Sequence, residues 1–177
     1  MKQLIYIAAI VVIALSGCKK DEEKAPVSGT HTINNLRYQE KSTYALHGFT
    51  FSTGQEVSTE STPGPDIIID TLNGTTLIFQ ANNLLPSFSK AGEYPNETAA
   101  KEAFNNLKSV TASQWIDFSS AVLPNQIWIY RSGAKNYTKI RTISTLIEKR
   151  QNLGKTINYG ECTFEWVHQP DGSLIFP

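Results

Sequence analysis

Neither sign of charge is in excess in this chain: 16 basic side chains stand against 16 acidic ones across 177 residues. Nucleic-acid backbones are held through an excess of Lys and Arg, so the balance excludes a dedicated nucleic-acid binder. Cysteine is scarce as well, with two residues, too few for a disulfide scaffold or a cysteine-rich zinc site. Methionine occurs once, as Met1, and histidine three times. No nucleophile elbow Gly-x-Ser-x-Gly, no His-Glu-x-x-His and no EF-hand loop occurs. Gly154-Lys155-Thr156 mimics the end of a phosphate-binding loop, but Lys149 stands where its first glycine belongs. The chain thus carries no catalytic signature and reads as a non-enzyme without a metal centre. What remains, 40% apolar and 18% charged, suits one folded domain with a real core.

The amino terminus carries the sharpest signal. Lys2 precedes the apolar run Leu4–Leu15, which is shorter than the roughly 20 residues a membrane-spanning helix needs and suits a signal-peptide core. It runs into Leu15-Ser16-Gly17-Cys18, which resembles the lipobox of bacterial lipoproteins. Residues 1–17 are then a leader, and Cys18 is the acylated first residue of the mature chain. Each buried lipid CH₂ contributes about 0.8 kcal/mol, so several acyl chains on one cysteine tether it firmly. Residues 18–30 follow as a polar tether, opening with Lys19-Lys20-Asp21-Glu22-Glu23-Lys24. A Lys followed by two acids resembles the surface-export signal of lipoproteins in some Gram-negative groups, which implies display on the outer face of the outer membrane. Cys162 has no partner once Cys18 is acylated, and is expected to be a buried, inert thiol.

Residues 31–177 read as a single β domain. Tyr44, Leu46, Phe49 and Phe51 alternate with a slip at His47-Gly48 that predicts a bulge. Asp66–Leu72 meets Thr75–Gln80 across Asn73-Gly74, a strong hairpin signal because both turn positions need φ > 0. Further strands are expected at 126–131, 137–147 and 161–168, with Cys162, Phe164, Trp166 and His168 on one face. Pro170-Asp171-Gly172 then turns into Leu174-Ile175-Phe176. One short helix is expected near residues 97–108, with Asn96 as its cap and Ala100, Ala103, Phe104 and Leu107 on its apolar face. These elements predict an all-β antiparallel sandwich or open barrel with one helix.

Candidate binding residues come from charge and aromaticity. Residues 131–155 hold Arg131, Lys135, Lys139, Arg141, Lys149, Arg150 and Lys155 against Glu148 alone. Residues 40–70 are acidic, with Lys41 their one base. Lys139 and Arg141 share a strand face with Tyr137 and are the expected contacts for an anionic ligand. The competing reading is a solvated face that complements the acidic segment. Phe88, Tyr94 and Trp115 fall in or near the irregular stretch 84–125 and are the expected aromatic walls of a pocket. The histidines divide into His31 in the tether region, His47 beside the bulge and His168 on an apolar strand face.

Gly48-Phe49-Thr50-Phe51-Ser52-Thr53-Gly54-Gln55-Glu56-Val57 resembles the Phe-Ser-Phe-x-x-Gly-x-x-Val strand and turn of the HmuY family of haem-binding lipoproteins. Asp66-Ile67-Ile68-Ile69 is similar to that family's Trp-Asp-hydrophobic segment, with Pro65 where the Trp stands. Ile127–Arg131, Tyr137–Arg141 and Thr163–Ser173 extend the likeness toward the carboxyl end. The resemblance implies a mostly β, HmuY-like lipoprotein that captures haem and passes it to a TonB-dependent outer-membrane transporter. That family ligates haem iron through His or Met on loops between central strands, and no position here matches either ligand. Tyr94 is the one phenolate candidate. The ligand is then a porphyrin, another small anion or a polymer fragment; the alternative is an adhesion or structural envelope lipoprotein with no small ligand. Asp70-Thr71-Leu72 also resembles the Asp-Thr-aliphatic O-glycosylation motif of exported proteins in one Gram-negative phylum, which makes Thr71 the candidate acceptor.

Overall fold

The computed structural model describes residues 27–83 and 85–177, so the leader, Cys18 and most of the tether lie outside the described residues. Ten strands and one helix follow one another there: β1 (Ser28–Asn34), β2 (Arg37–Glu40), β3 (Thr43–Thr50), β4 (Gln55–Ser58), β5 (Ile67–Leu72), β6 (Thr76–Ala81), β7 (Phe88–Glu93), α1 (Glu97–Asn106), β8 (Gln126–Arg131), β9 (Tyr137–Asn152) and β10 (Lys155–Gln169). They form two antiparallel sheets, one ordered β1-β10-β9-β8-β7 and the other β2-β3-β5-β6 with β4 on β3. The architecture is an all-β sandwich with a single short helix. β1 begins within the span whose composition suggested a tether, pairing Ser28 with Val167 and Thr30 with Glu165.

Turn chemistry fixes the two hairpins that set the registers. Asn73 and Gly74 both have positive φ, 53° and 72°, as the sequence predicts, and join β5 to β6. The second hairpin is longer than expected. β9 and β10 run to Asn152 and from Lys155, joined by Leu153 (φ 52°) and Gly154 (φ 76°). Gly154 therefore serves a tight turn, and a leucine accepts a left-handed conformation beside it.

β3 carries no bulge. His47, Gly48, Phe49 and Thr50 pair without a slip to Ser58, Val57, Glu56 and Gln55. The inward residues are Ala45, Phe49 and Phe51, while Tyr44 is 54% exposed, so one odd-numbered face points inward throughout. Gly48 answers to a different demand: a Cβ there would collide with the Ile67 carbonyl, where β3 crosses close to β5. Register shifts occur instead at Lys90/Gly92 and Thr163/Phe164. The carboxyl terminus also departs from expectation, because Leu174-Ile175-Phe176 makes an isolated bridge, Ser109 to Ile175, and no strand.

The core between the sheets is aromatic. Phe164 meets Phe49 at 5.5 Å and Phe79 at 6.2 Å between ring centroids, and Phe51 meets Tyr130 at 5.4 Å. Each buried side chain of this size stabilises the fold by about 1.5–3 kcal/mol. Cys162 is wholly buried in the same cluster, and burial pushes its thiol pKa up, which keeps it protonated.

β8 is buried on both faces, as its unbroken apolar run Ile127-Trp128-Ile129-Tyr130 demands. Trp128 and Tyr130 enter the inter-sheet core; the opposite face of the sheet is covered by α1, which packs on β8 and β9 through Ala100 and Phe104. Asn96 caps α1 by accepting from the Ala99 amide at 2.9 Å. The helix ends at Asn106, two residues short of the expected Lys108. Residues 116–122 then run along both sheet margins: Ile116 bridges Phe88 of β7, and Phe118 bridges Gln80 of β6. That segment satisfies otherwise open edges.

Candidate functional site

The residues nominated by sequence do not converge. Phe88 lies on β7, fully buried, and packs between Phe79 and Tyr130 as part of the core. Tyr94 is half-buried just past β7, its amide donating to the Asn125 carbonyl at 3.1 Å. Trp115 is half-buried and carries the Arg131 guanidinium 4.3 Å over its ring, with Tyr137 beside it. The expected pocket in the 84–125 stretch is replaced by edge-covering chain.

Lys139 and Arg141 do share a face, but that face lies under α1. Both are 3% exposed. The Lys139 ammonium donates to the carbonyls of Phe104 and Leu107 at 2.8 and 2.9 Å, capping the carboxyl end of the helix. Burial and the neighbouring Lys108 charge lower its pKa, against an opposing pull from Glu165. Arg141 pairs with Glu165 at 2.8 Å and lies 3.9 Å from Glu97 in the first turn of α1. Lys139 fastens the helix, while Arg141 is held by Glu165 of β10 and keeps one buried nitrogen without a hydrogen-bond partner; neither the anion contact nor the solvated face describes them. A hollow of about 380 Å³ lies alongside, between Lys139, Lys108 and Glu165. The rest of the basic stretch is dispersed, since Lys149 and Arg150 sit far along β9, where Arg150 stacks on Tyr159 at 3.5 Å.

Polar groups do gather at one end of the sandwich, in a cleft of about 380 Å³. Its walls come from the turn after β3, the loop before β5, the loop after β6, the β8–β9 connection and the end of β10. Asp66 stands at its centre: Oδ2 accepts from the Phe51 amide at 2.8 Å, and Oδ1 accepts from the Tyr130 hydroxyl at 3.3 Å. Desolvation raises the Asp66 pKa against these two hydrogen bonds, and burial beside Asp66 raises that of the Tyr130 phenol.

His168 lines the same cleft and is 4% exposed. Its Nδ1 meets the Thr138 hydroxyl at 2.8 Å, while Nε2 is buried without a partner. Burial lowers its pKa, favouring the neutral ring. Asn82, Asn83 and Asn136 line it too, with Ser52, Ser132 and small or aliphatic residues of the loops.

In the sequence, Asp66, Tyr130 and His168 stand out only as strand residues. Their signal is the phase of the strands: Tyr130 and His168 fall on inward faces at the ends of β8 and β10, where a polar side chain has no apolar reason to be. The other histidines are paired elsewhere, His31 with Glu56 at 2.8 Å and His47 with Glu40 at 2.7 Å. Among the described residues no three of His, Cys, Asp and Glu gather to hold a metal ion. Thr71 is half-buried and its hydroxyl donates to the Asn158 carbonyl at 3.2 Å. Compared with protein-family models, curated proteins and solved structures, the chain finds no match.

Proposed function

We propose that this chain is a binding module, held at the cell envelope by an acylated Cys18, that takes a small ligand into the Asp66 cleft. One observation carries the reading. The cleft collects hydrogen-bonding side chains at the loop end of a rigid sandwich, the usual place for a binding site on such a scaffold. Asn82 is exposed and Asn136 half-buried, and among the described residues their side-chain amides make no hydrogen bond to the protein, which leaves them open to a ligand. The hollow beside Lys139 is the weaker choice, because that ammonium already holds two carbonyls and Glu165 supplies a negative charge there.

Outward display and delivery to a TonB-dependent transporter remain part of the proposal, resting on the lipobox, the Lys20-Asp21-Glu22 order in the tether and the HmuY-like segments. Radiolabelled palmitate incorporation that disappears in Cys18→Ala tests the anchor. Thermal unfolding of the full chain against a small-molecule library tests the cleft. A ligand present at a hundred times its Kd adds about 2.7 kcal/mol to stability. Compounds that stabilise the native chain are expected to lose that effect in Asn82→Ala/Asn136→Ala; equal stabilisation of both proteins contradicts the reading.

A further inference from the structure

The chemistry of the cleft also narrows its ligand, on the reading that the cleft is the binding site. We infer that the occupant is a neutral, polyhydroxylated molecule of sugar size. Among the described lining residues none is Lys or Arg, and the one acid is Asp66. An anion entering there finds no cationic partner and meets the Asp66 carboxyl group, an arrangement that disfavours like charge. A porphyrin requires a broad apolar slot and cations for its propionates, whereas this lining is mostly carboxamide, hydroxyl and small residues, with Asp66 its one charge and Pro65 and Ala134 its aliphatic side chains.

Vicinal hydroxyl groups are the complement of such a surface. Each hydroxyl both donates and accepts, and a planar carboxamide or carboxylate can serve two neighbouring hydroxyls at once. Asp66 already accepts from Phe51 and Tyr130, and its two oxygens keep further lone-pair sites for hydroxyl donors. Asn82 and Asn136 supply two donors and an acceptor apiece. The buried His168 Nε2 has no partner in the protein, marking another unmatched polar group in the cleft wall. The volume of about 380 Å³ falls at the small end of ligand pockets.

The test uses the isotopically labelled full chain in a sugar-free detergent. Glucose, galactose, mannose, N-acetylglucosamine and their disaccharides are titrated beside glucuronate, spermidine and haem, with backbone shifts read at residues 64–66, 82–83, 130–136 and 168. Saturable shifts there with one or more neutral sugars are expected. Asn82→Ala and Asn136→Ala should each weaken binding by about three- to tenfold. Asp66→Asn, which keeps the Phe51 contact through its remaining oxygen, should weaken it by about ten- to a hundredfold. Shifts at these residues with glucuronate, spermidine or haem, and none with neutral sugars, overturn the ligand class and leave the cleft as a binding site. No shift at these residues with any compound overturns both.

Discussion

Two groups of polar side chains sit on this sandwich, one buried under α1 and one partly open at the loop end, and they have opposite relations to the chain around them. Under α1, Lys139 and Arg141 are engaged by helix carbonyls and by Glu165 and Glu97. At the loop end, each Asp66 oxygen accepts one hydrogen bond, His168 is held through Nδ1 alone, and the side-chain amides of Asn82 and Asn136 make none to the protein among the described residues. In sequence the helix-covered pair reads as functional because it is charged; the structure makes Lys139 a fastening for the helix and Arg141 a partner of Glu165. The loop-end group reads as strand filler because its members are neutral or solitary. Charge is thus the poorer guide here, and a place open at the loop end the better one, since Arg141 under the helix also keeps one buried nitrogen without a partner.

Removing Lys139 should give the largest effect in this contrast. Lys139→Ala leaves the Phe104 and Leu107 carbonyls unpaired beneath the helix and should cost about 2–4 kcal/mol in urea unfolding. Arg141→Ala comes next, at about 1–3 kcal/mol, because Glu165 keeps partial access to solvent. A loss below about 0.5 kcal/mol at both positions would break the comparison by showing that the helix needs neither.

His168 supplies a pH-dependent difference. Its folded pKa lies below the ordinary 6.5, so on acidification through that value the unfolded chain takes up a proton that the native chain refuses. Stability is therefore lost as pH falls from about 7 toward the folded pKa. Asp66 acts in the opposite sense: its raised folded pKa makes the native chain bind the proton first, which restores stability at acid pH. Melting of the native chain and of His168→Gln between about pH 8 and 5 should show a steeper acid loss in the native chain. The smallest stability change belongs to Asn82→Ala and Asn136→Ala, each within about 0.5 kcal/mol, since surface changes without partners cost little.

Much of the frame is readable from residues alone. Asn73-Gly74 predicts its hairpin because positive φ is accessible to few other pairs, and the β-branched and aromatic run at 126–131 marks its strand. Asn96 and the Ala100/Phe104 spacing locate the helix. The failures have physical causes. Leu153-Gly154 hides its turn because leucine seldom accepts positive φ, so β9 and β10 extend beyond the strands that periodicity marks. His47-Gly48 suggests a bulge, although the glycine is required by the backbone of β5. Lys139 and Arg141 could not be assigned to a helix interface because periodicity shows which residues share a face and not what covers it. The cleft is illegible for a similar reason: its lining comes from four connections and the ends of two strands that only the closed sandwich brings together.

The claim that the loop end receives ligand while the helix-covered face holds structure can be tested by one comparison. The full chain and its Asn82→Ala/Asn136→Ala and Lys139→Ala variants are measured together for urea stability and for binding of whichever neutral sugar shifts the native cleft resonances. The account predicts a double variant with native stability and weakened binding, and a Lys139→Ala chain that is less stable yet binds normally below its unfolding transition. Normal binding by the asparagine variant, together with lost binding in folded Lys139→Ala, would contradict it.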